Sequence, residues 1–184
     1  TDIAVRRPSD NNFYVFNSSN STVEVRNFGI TGDIALPSDY NGDGKADVAV
    51  WRPSNGTWYL SLSGSGIFYV MPWGLAADKP VPGDFDGDGK TDLAVFRPTE
   101  GRWYIFNTVT GAFSTNDFGV NGDTPVQADY SGDGKTDFAV YRPSNNTWYR
   151  QHTNDGTFNV SQWGLPGDFP TPGDFDGDGK TDVA

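Results

Sequence analysis

Aspartate stands at the first, third, fifth and ninth positions of a short glycine-containing segment at residues 84–92, DFDGDGKTD. A spacing of two lets a tightly turning backbone direct alternate carboxylates to one side, and the glycine at the sixth position permits the sharp turn. A cluster of carboxylate and carbonyl oxygens suits a hard divalent cation better than zinc or copper. The segment is therefore a candidate metal-binding loop.

The same nine-residue pattern occurs four times, at residues 39–47, 84–92, 129–137 and 174–182. Each loop offers side-chain oxygens at positions 1, 3, 5 and 9, and we expect the lysine at position 7 to contribute its backbone carbonyl. The candidate ligands are Asp39, Asn41, Asp43, Lys45, Asp47, Asp84, Asp86, Asp88, Lys90, Asp92, Asp129, Ser131, Asp133, Lys135, Asp137, Asp174, Asp176, Asp178, Lys180 and Asp182.

The donor set favours calcium over other cations. The sequence contains no cysteine, and His152 is its single histidine. Mg²⁺ keeps several waters and takes few protein ligands, whereas about five ligands in each loop suit Ca²⁺. The loops are not EF-hands, because valine stands where an EF-hand places its twelfth-position glutamate, at Val50, Val95 and Val140. We expect about four Ca²⁺ ions, which would change the formal charge of −11 to −3.

The four loops differ in charge. The second and fourth have four carboxylates each, whereas Asn41 and Ser131 replace an aspartate in the first and third. Because calcium affinity follows ligand charge, the sequence predicts weaker binding in the first loop and the weakest in the third.

The loops mark a repeat of 45 residues that contains no insertion or deletion. The units are residues 1–45, 46–90, 91–135 and 136–180, and a fifth begins at 181–184. Units one and three resemble each other, as do units two and four, which indicates a duplicated pair of 90 residues. We expect one repeat domain over residues 1–184.

Within one unit the sequence predicts four short strands, at residues 81–85, 92–97, 103–106 and 112–118, separated by glycine- and proline-containing turns. No segment has the apolar period of a helix. A repeated four-stranded antiparallel unit of this length is typical of a β-propeller blade. The predicted fold is therefore all-β, a β-propeller-type array of such blades.

Residues 83–98, GDFDGDGKTDLAVFRP, resemble the FG-GAP and VCBS-type repeats, which are similar to the calcium-binding blades of integrin α-subunits. The resemblance covers the whole chain and implies a secreted or cell-surface protein with a role in adhesion, matrix building or carbohydrate binding. Asn41 and Ser131 depart from the family's all-aspartate pattern. A closed four-bladed ring and a window of a longer array both remain open. Since the sequence does not begin with Met, we expect a removed leader or a longer parent protein.

No set of residues in the sequence supports catalysis. His152 does not recur, no Ser-His-Asp set can be assembled, and paired carboxylates occur only in the loops. We expect each arginine of the Arg-Pro steps to bridge to a neighbouring strand, and we favour core packing over sugar stacking for the aromatic-Tyr pairs.

These features predict an extracellular, calcium-binding structural or adhesive protein that is not an enzyme. The alternative is a calcium-dependent lectin. The expected partners are further copies of the chain or other extracellular proteins, with carbohydrate as a possible ligand. The acidic charge argues against nucleic acid, and the lack of long apolar runs argues against membrane insertion.

Overall fold

The computed structural model describes residues 2–184, which form two compact units. The first unit ends at Ala76 and the second spans Ala77–Ala184. All regular structure in the described residues is β, as the sequence predicts. Accordingly, residues 2–184 include no helix suited to crossing a membrane.

The first unit contains two antiparallel sheets. One sheet has the order β1-β2-β3 and the other has the order β4-β5-β6-β7. The strands are β1 (Ile3–Arg7), β2 (Asn12–Asn17), β3 (Thr22–Asn27), β4 (Ile34–Ala35), β5 (Val48–Arg52), β6 (Thr57–Ser61) and β7 (Phe68–Pro72). The second sheet also includes the short strand β4, which precedes the aspartate loop at residues 39–47, whereas the first sheet has three long strands.

The second unit contains two four-stranded antiparallel sheets, with the orders β11-β10-β9-β8 and β12-β13-β14-β15. Their strands are β8 (Lys79–Pro80), β9 (Leu93–Arg97), β10 (Arg102–Phe106), β11 (Phe113–Asp117), β12 (Thr124–Pro125), β13 (Phe138–Arg142), β14 (Thr147–Gln151) and β15 (Phe158–Gln162). The antiparallel blades predicted from the repeat are confirmed, and β5, β9 and β13 follow one another at intervals of 45 residues.

One strand lies elsewhere than predicted. In place of a strand at 81–85, the ladder is limited to β8, and a separate bridge joins Gly83 to Asp92. Proline in β8 is tolerated because this short strand lies at the edge of its sheet. The aspartate loop at residues 84–92 therefore begins directly after Gly83 and ends at Asp92, the two residues that form this bridge.

The second strand of each four-stranded sheet forms the core. In β9, Leu93, Ala94, Val95 and Phe96 are all fully buried, which explains its continuous apolar sequence. Trp103 on the next strand is also fully buried, and its indole N–H donates to the Phe118 carbonyl at 2.8 Å. This supports core packing for the tryptophans of the aromatic-Tyr pairs, Trp58, Trp103 and Trp148, since a buried indole needs a hydrogen-bond acceptor.

The arginine in each of the last three Arg-Pro steps pairs with the aspartate 19 residues before it. Arg52 Nε and Nη2 donate to the two carboxylate oxygens of Asp33 at 2.8 and 2.9 Å. Burial of Asp33 acts to raise its pKa, but the hydrogen bonds from Arg52 hold that pKa below its usual value. Arg97 with Asp78 and Arg142 with Asp123 repeat the geometry. An arginine bridge is thus present for Arg52, Arg97 and Arg142, where it holds the connection that leads into each four-stranded sheet, whereas Arg7 pairs with Asp10 in its own turn.

Candidate metal centre

The first aspartate of each loop organises the backbone. Asp84 Oδ1 accepts the amide of Gly87 at 2.7 Å, and Oδ2 accepts that of Gly89 at 2.8 Å. Gly87 and Gly89 have φ angles of +81° and +83°, which side chains with a Cβ rarely adopt. Asp39, Asp129 and Asp174 make equivalent bonds. The carboxylate of the first aspartate therefore stabilises the tight turn through hydrogen bonds to its own loop.

Positions 1, 3 and 5 converge in the second and fourth loops. Asp84, Asp86 and Asp88 each place a carboxylate oxygen within 4.8 Å of the others, and Asp174, Asp176 and Asp178 do the same. Three carboxylates at this spacing are hard oxygen donors that can share one divalent cation. The chemistry of the donor set therefore fits calcium at these two loops.

Mutual repulsion is visible in the second loop. Burial, together with the negative charges of Asp88 and Asp84, raises the pKa of Asp86. Burial and the charges of Asp86 and Asp84 raise the pKa of Asp92 to about 7. A cation bound among these groups would remove the electrostatic penalty and favour their ionised forms.

The ninth position has a different environment from the first three acidic positions. Asp47 is fully buried, and its carboxylate accepts the amides of Tyr40 at 2.9 Å and Ser63 at 2.6 Å. Asp137 is also buried and accepts the amides of Tyr130 and Thr153. Neither carboxylate cluster includes the ninth residue of its loop. The ninth aspartate therefore connects its loop to the turn that follows β6 or β14, at Ser63 and Thr153 respectively.

The first and third loops replace charge with internal hydrogen bonds. Asn41 Nδ2 donates to the Ser63 carbonyl at 3.2 Å, and Ser63 Oγ donates to Asp43 at 2.7 Å. The bond from Ser63 holds the pKa of Asp43 below its usual value. In the third loop Ser131 Oγ donates to Asp129 at 3.4 Å. These loops contain two carboxylates at positions 1, 3 and 5 rather than three.

The residue at position 2 of the loops alternates between tyrosine and phenylalanine along the chain. Tyr40 and Tyr130 are buried, and their hydroxyls donate to backbone carbonyls four residues earlier at 2.8 and 2.6 Å. Phe85 fills this position in the second loop and stacks on Phe138 at a centroid distance of 5.3 Å. Phe175, in the fourth loop, is exposed.

The lysines at position 7 contact their own loops through the backbone. Lys90 donates its amide to Asp88 Oδ1 at 2.9 Å, and Lys45, Lys135 and Lys180 make the same bond. Coordination through the lysine carbonyl stays a prediction. The charged side chains of Lys90 and Lys135 are half-buried rather than fully solvent-exposed.

Successive loops of the second unit contact each other, which the sequence did not predict. The amide of Thr136 donates to the Asp84 carbonyl at 2.6 Å, and the amide of Thr181 donates to the Asp129 carbonyl at 2.7 Å. A Cβ added to Gly87 would lie 2.9 Å from Cε of Lys135. Each of these loops therefore packs closely against the next.

Comparison with protein families agrees with the repeat pattern. Residues 39–95, 84–140 and 129–184 each match the FG-GAP-like repeat. The three matches overlap and together cover most of the chain, so the resemblance noted in the sequence is confirmed. No curated protein matches the chain.

Solved structures share the fold at low sequence identity. An Agrocybe aegerita lectin, described as specifically recognising non-reducing terminal N-acetylglucosamine, has a TM-score of 0.58 and 17% identity over 100% of this chain. A catalytically inactive virginiamycin B lyase from Staphylococcus aureus, with quinupristin, has a TM-score of 0.60 and 13% identity over 92% of this chain. The chain spans 59% and 54% of the lengths of these two proteins. The likeness therefore concerns the fold alone.

Proposed function

The chain belongs to the FG-GAP-like repeat family, and on this premise we propose that it is an extracellular calcium-binding structural and adhesive repeat protein. The convergence of Asp84, Asp86 and Asp88 within 4.8 Å carries the proposal. Three carboxylates held this close gain little without a cation, because their mutual repulsion opposes the turn. Calcium binding would convert that repulsion into stability of the folded state.

The extracellular part of the proposal follows from calcium supply. Oxygen-ligand loops of extracellular modules bind calcium at roughly 10⁻⁴ to 10⁻³ M, a concentration that the cytosol does not provide. The proposed role is mechanical rather than catalytic: calcium-stabilised blades present surfaces to further copies of the chain or to other extracellular macromolecules. His152 lies 3.9 Å from Asp155 and is not part of either acidic cluster, so it adds no catalytic group there.

A calcium titration of the 184-residue chain by isothermal calorimetry tests the proposal. We expect saturable binding at about four sites, with magnesium competing weakly. The double variant Asp86→Asn/Asp176→Asn should weaken the tightest sites. Asp155→Asn is a matched control, because this exposed aspartate lies outside the loops. Absence of calcium binding, or equal binding by the control and the double variant, would contradict the proposal.

A second candidate function is carbohydrate binding. It is favoured by the fold shared with the Agrocybe aegerita lectin and by aromatic side chains that remain exposed on strands, including Phe68 and Phe158. A glycan array tests it, since saturable binding that free sugar competes away would favour a lectin over a purely structural protein.

A further inference from the structure

An aromatic recess lies on the surface of the first unit. Phe28, Tyr59 and Phe68 line it together with Arg52 and the backbone at Gly29, and its volume is about 260 Å³. The Phe28 and Phe68 rings meet edge to face at 5.9 Å, and the Tyr59 and Phe68 rings lie 6.3 Å apart. Phe68 is nevertheless 58% exposed, so one wall of the recess is open to solvent.

The second unit contains the same arrangement 90 residues later. Phe118 and Phe158 meet at 6.1 Å, and Tyr149 and Phe158 lie 6.3 Å apart. Phe158 is 56% exposed, which matches Phe68. Gly119 has a φ of +104° and Gly29 a φ of +86°, and a Cβ at either would lie within about 3.3 Å of neighbouring side chains. The chain thus repeats the aromatic arrangement of the first recess in the second unit.

Each recess has a polar wall. The Arg52 guanidinium carbon lies 4.2 Å from the Tyr59 ring centroid, and Arg142 lies 4.3 Å from that of Tyr149. Nε and Nη2 of Arg52 donate to Asp33, and the same guanidinium also interacts with the Tyr59 side chain. The Tyr59 hydroxyl accepts a hydrogen bond from Asn55 at 3.1 Å and keeps its own proton for donation.

The corresponding arginine of the intervening sheet is used differently. Arg97 Nη1 donates to Glu100 at 3.3 Å in addition to the Arg97–Asp78 pair. In the repeat, Asn55 and Asn145 stand where Glu100 stands, so Arg52 and Arg142 lack this second acidic partner. At both sites an asparagine amide and a tyrosine hydroxyl thus supply hydrogen-bond donors where the intervening sheet has a carboxylate.

These features select the kind of ligand. Apolar aromatic faces next to hydrogen-bond donors suit a ring that has both a C–H face and oxygen acceptors, as a pyranose does. The arginine charge is already balanced by aspartate, and the chain has a formal charge of −11, so an anionic ligand gains no attraction. The recess is below the roughly 300–1,000 Å³ of drug-sized sites, which fits a single ring.

We propose that the Phe28–Tyr59–Phe68 recess and its counterpart Phe118–Tyr149–Phe158 are two equivalent binding sites for a neutral pyranose sugar. This inference deepens the second candidate function and rests on it, and it is independent of the calcium loops. A single small ring in an open site has a dissociation constant on the order of 1 mM.

The test is ligand-observed and protein-observed NMR on the 184-residue chain with a panel of neutral hexoses, N-acetylhexosamines and uronic acids. We expect a neutral sugar to bind and to shift the amide resonances of Gly29 and Gly119. Phe68→Ala should remove the shift at Gly29 only, and Phe68→Ala/Phe158→Ala should weaken binding at least tenfold. Phe68→Trp should retain binding. Phe16→Ala, which truncates another exposed phenyl group on a strand, is the matched control and should bind as the unmodified chain does.

Two results would overturn the proposal in distinguishable ways. Sugar binding that persists in the double variant would leave the lectin function standing but remove these recesses as its site. Failure of every sugar on the panel to bind would remove both the recesses and the lectin function. Preferential binding of the uronic acids would also contradict the proposal, because it would require a net positive site. The shifts at Gly29 and Gly119 are measured on the unmodified chain, so the test does not depend on the folding of any variant.

Discussion

The loops at residues 84–92 and 39–47 have nearly the same backbone hydrogen bonds but opposite electrostatics. In the first of these, three carboxylates converge and burial and repulsion raise the pKa of Asp86. In the other, Asn41 and Ser63 supply hydrogen-bond donors, and the pKa of Asp43 is lowered. A bound cation would therefore relieve more charge in the first of these loops than in the other. From one turn geometry we expect two levels of dependence on calcium.

Removing calcium should have the largest effect on the molecule. A site that is saturated a hundredfold above its dissociation constant contributes about 2.7 kcal/mol, and each kcal/mol shifts the Tm of a chain this size by about 2–4 °C. We expect EDTA to lower the Tm by at least 10 °C, chiefly through the three-carboxylate loops. Scanning calorimetry with and without calcium measures this, and an unchanged Tm would contradict a structural role for the loops.

A reciprocal exchange at position 3 tests the contrast between the loops directly. Asp86→Asn should weaken calcium binding at residues 84–92 by about tenfold, and Asn41→Asp should strengthen binding at 39–47 by a similar factor, because affinity follows ligand charge. Site-resolved titration by NMR, followed at Gly89 and Gly44, measures both. If Asn41→Asp failed to tighten its loop, position 3 charge would not explain the difference.

The metal-free loops should respond to pH in opposite directions. The folded pKa of Asp92 is raised to about 7, so its contribution to stability is fully present near pH 4 and is lost as the pH rises towards 7. The folded pKa of Asp43 is lowered, so its contribution is present above pH 4 and is lost on further acidification. We expect this effect to be smaller than that of the charge exchange, because solvent screens the exposed Asp43 and because the Phe85 amide partly offsets the burial of Asp92.

Hydrogen exchange of the loop amides in EDTA, compared between pH 5 and pH 7.5 after correction for intrinsic rates, measures the pH effect. Protection at residues 84–92 should be greater at pH 5. Asp92→Asn should remove the difference between the two pH values in that loop. An equal response at 39–47 and 84–92 would show that the two loops do not differ in electrostatics.

We expect the smallest effect on stability from a change at position 2 of a loop. Tyr130→Phe removes the hydrogen bond from the buried hydroxyl to the Val126 carbonyl at 2.6 Å, and we expect a loss of about 1 kcal/mol in the free energy of unfolding. Tyr149→Phe is the control, because the hydroxyl there makes its hydrogen bond with the Asn145 amide at the exposed surface. Chemical denaturation measures both variants, and equal losses would show that the buried bond adds no extra stability.

The sequence predicted what is local or periodic. The 45-residue repeat located every long strand, and the alternate spacing of Asp84, Asp86 and Asp88 was enough to predict their convergence. Short-range geometry governs both features. The strand expected at 81–85 was misplaced because the loop turn begins next to these residues. Only a single bridge, from Gly83 to Asp92, forms there.

The role of the ninth aspartate depends on residues far along the chain. Asp47 is held by the amide of Ser63, and Asp137 by that of Thr153, in each case 16 residues later. A signal was present, since a hydroxyl residue recurs 16 positions after the aspartate at Ser18, Ser63, Thr108 and Thr153. The contact between successive loops had no such signal, because it joins backbone groups and leaves no trace in residue type.

The ion pair between Asp33 and Arg52 has a consequence for synthesis on the ribosome. The carboxylate lies on the segment that leads into a sheet, and the guanidinium that balances it is translated 19 residues later. At roughly 5–20 residues per second, the aspartate waits for its partner for about one to four seconds. Burying it earlier would leave a charge uncompensated, so each sheet can close only after its second strand has emerged. The recurrence of this pair at Arg97 and Arg142 places the same requirement on each of the two later sheets.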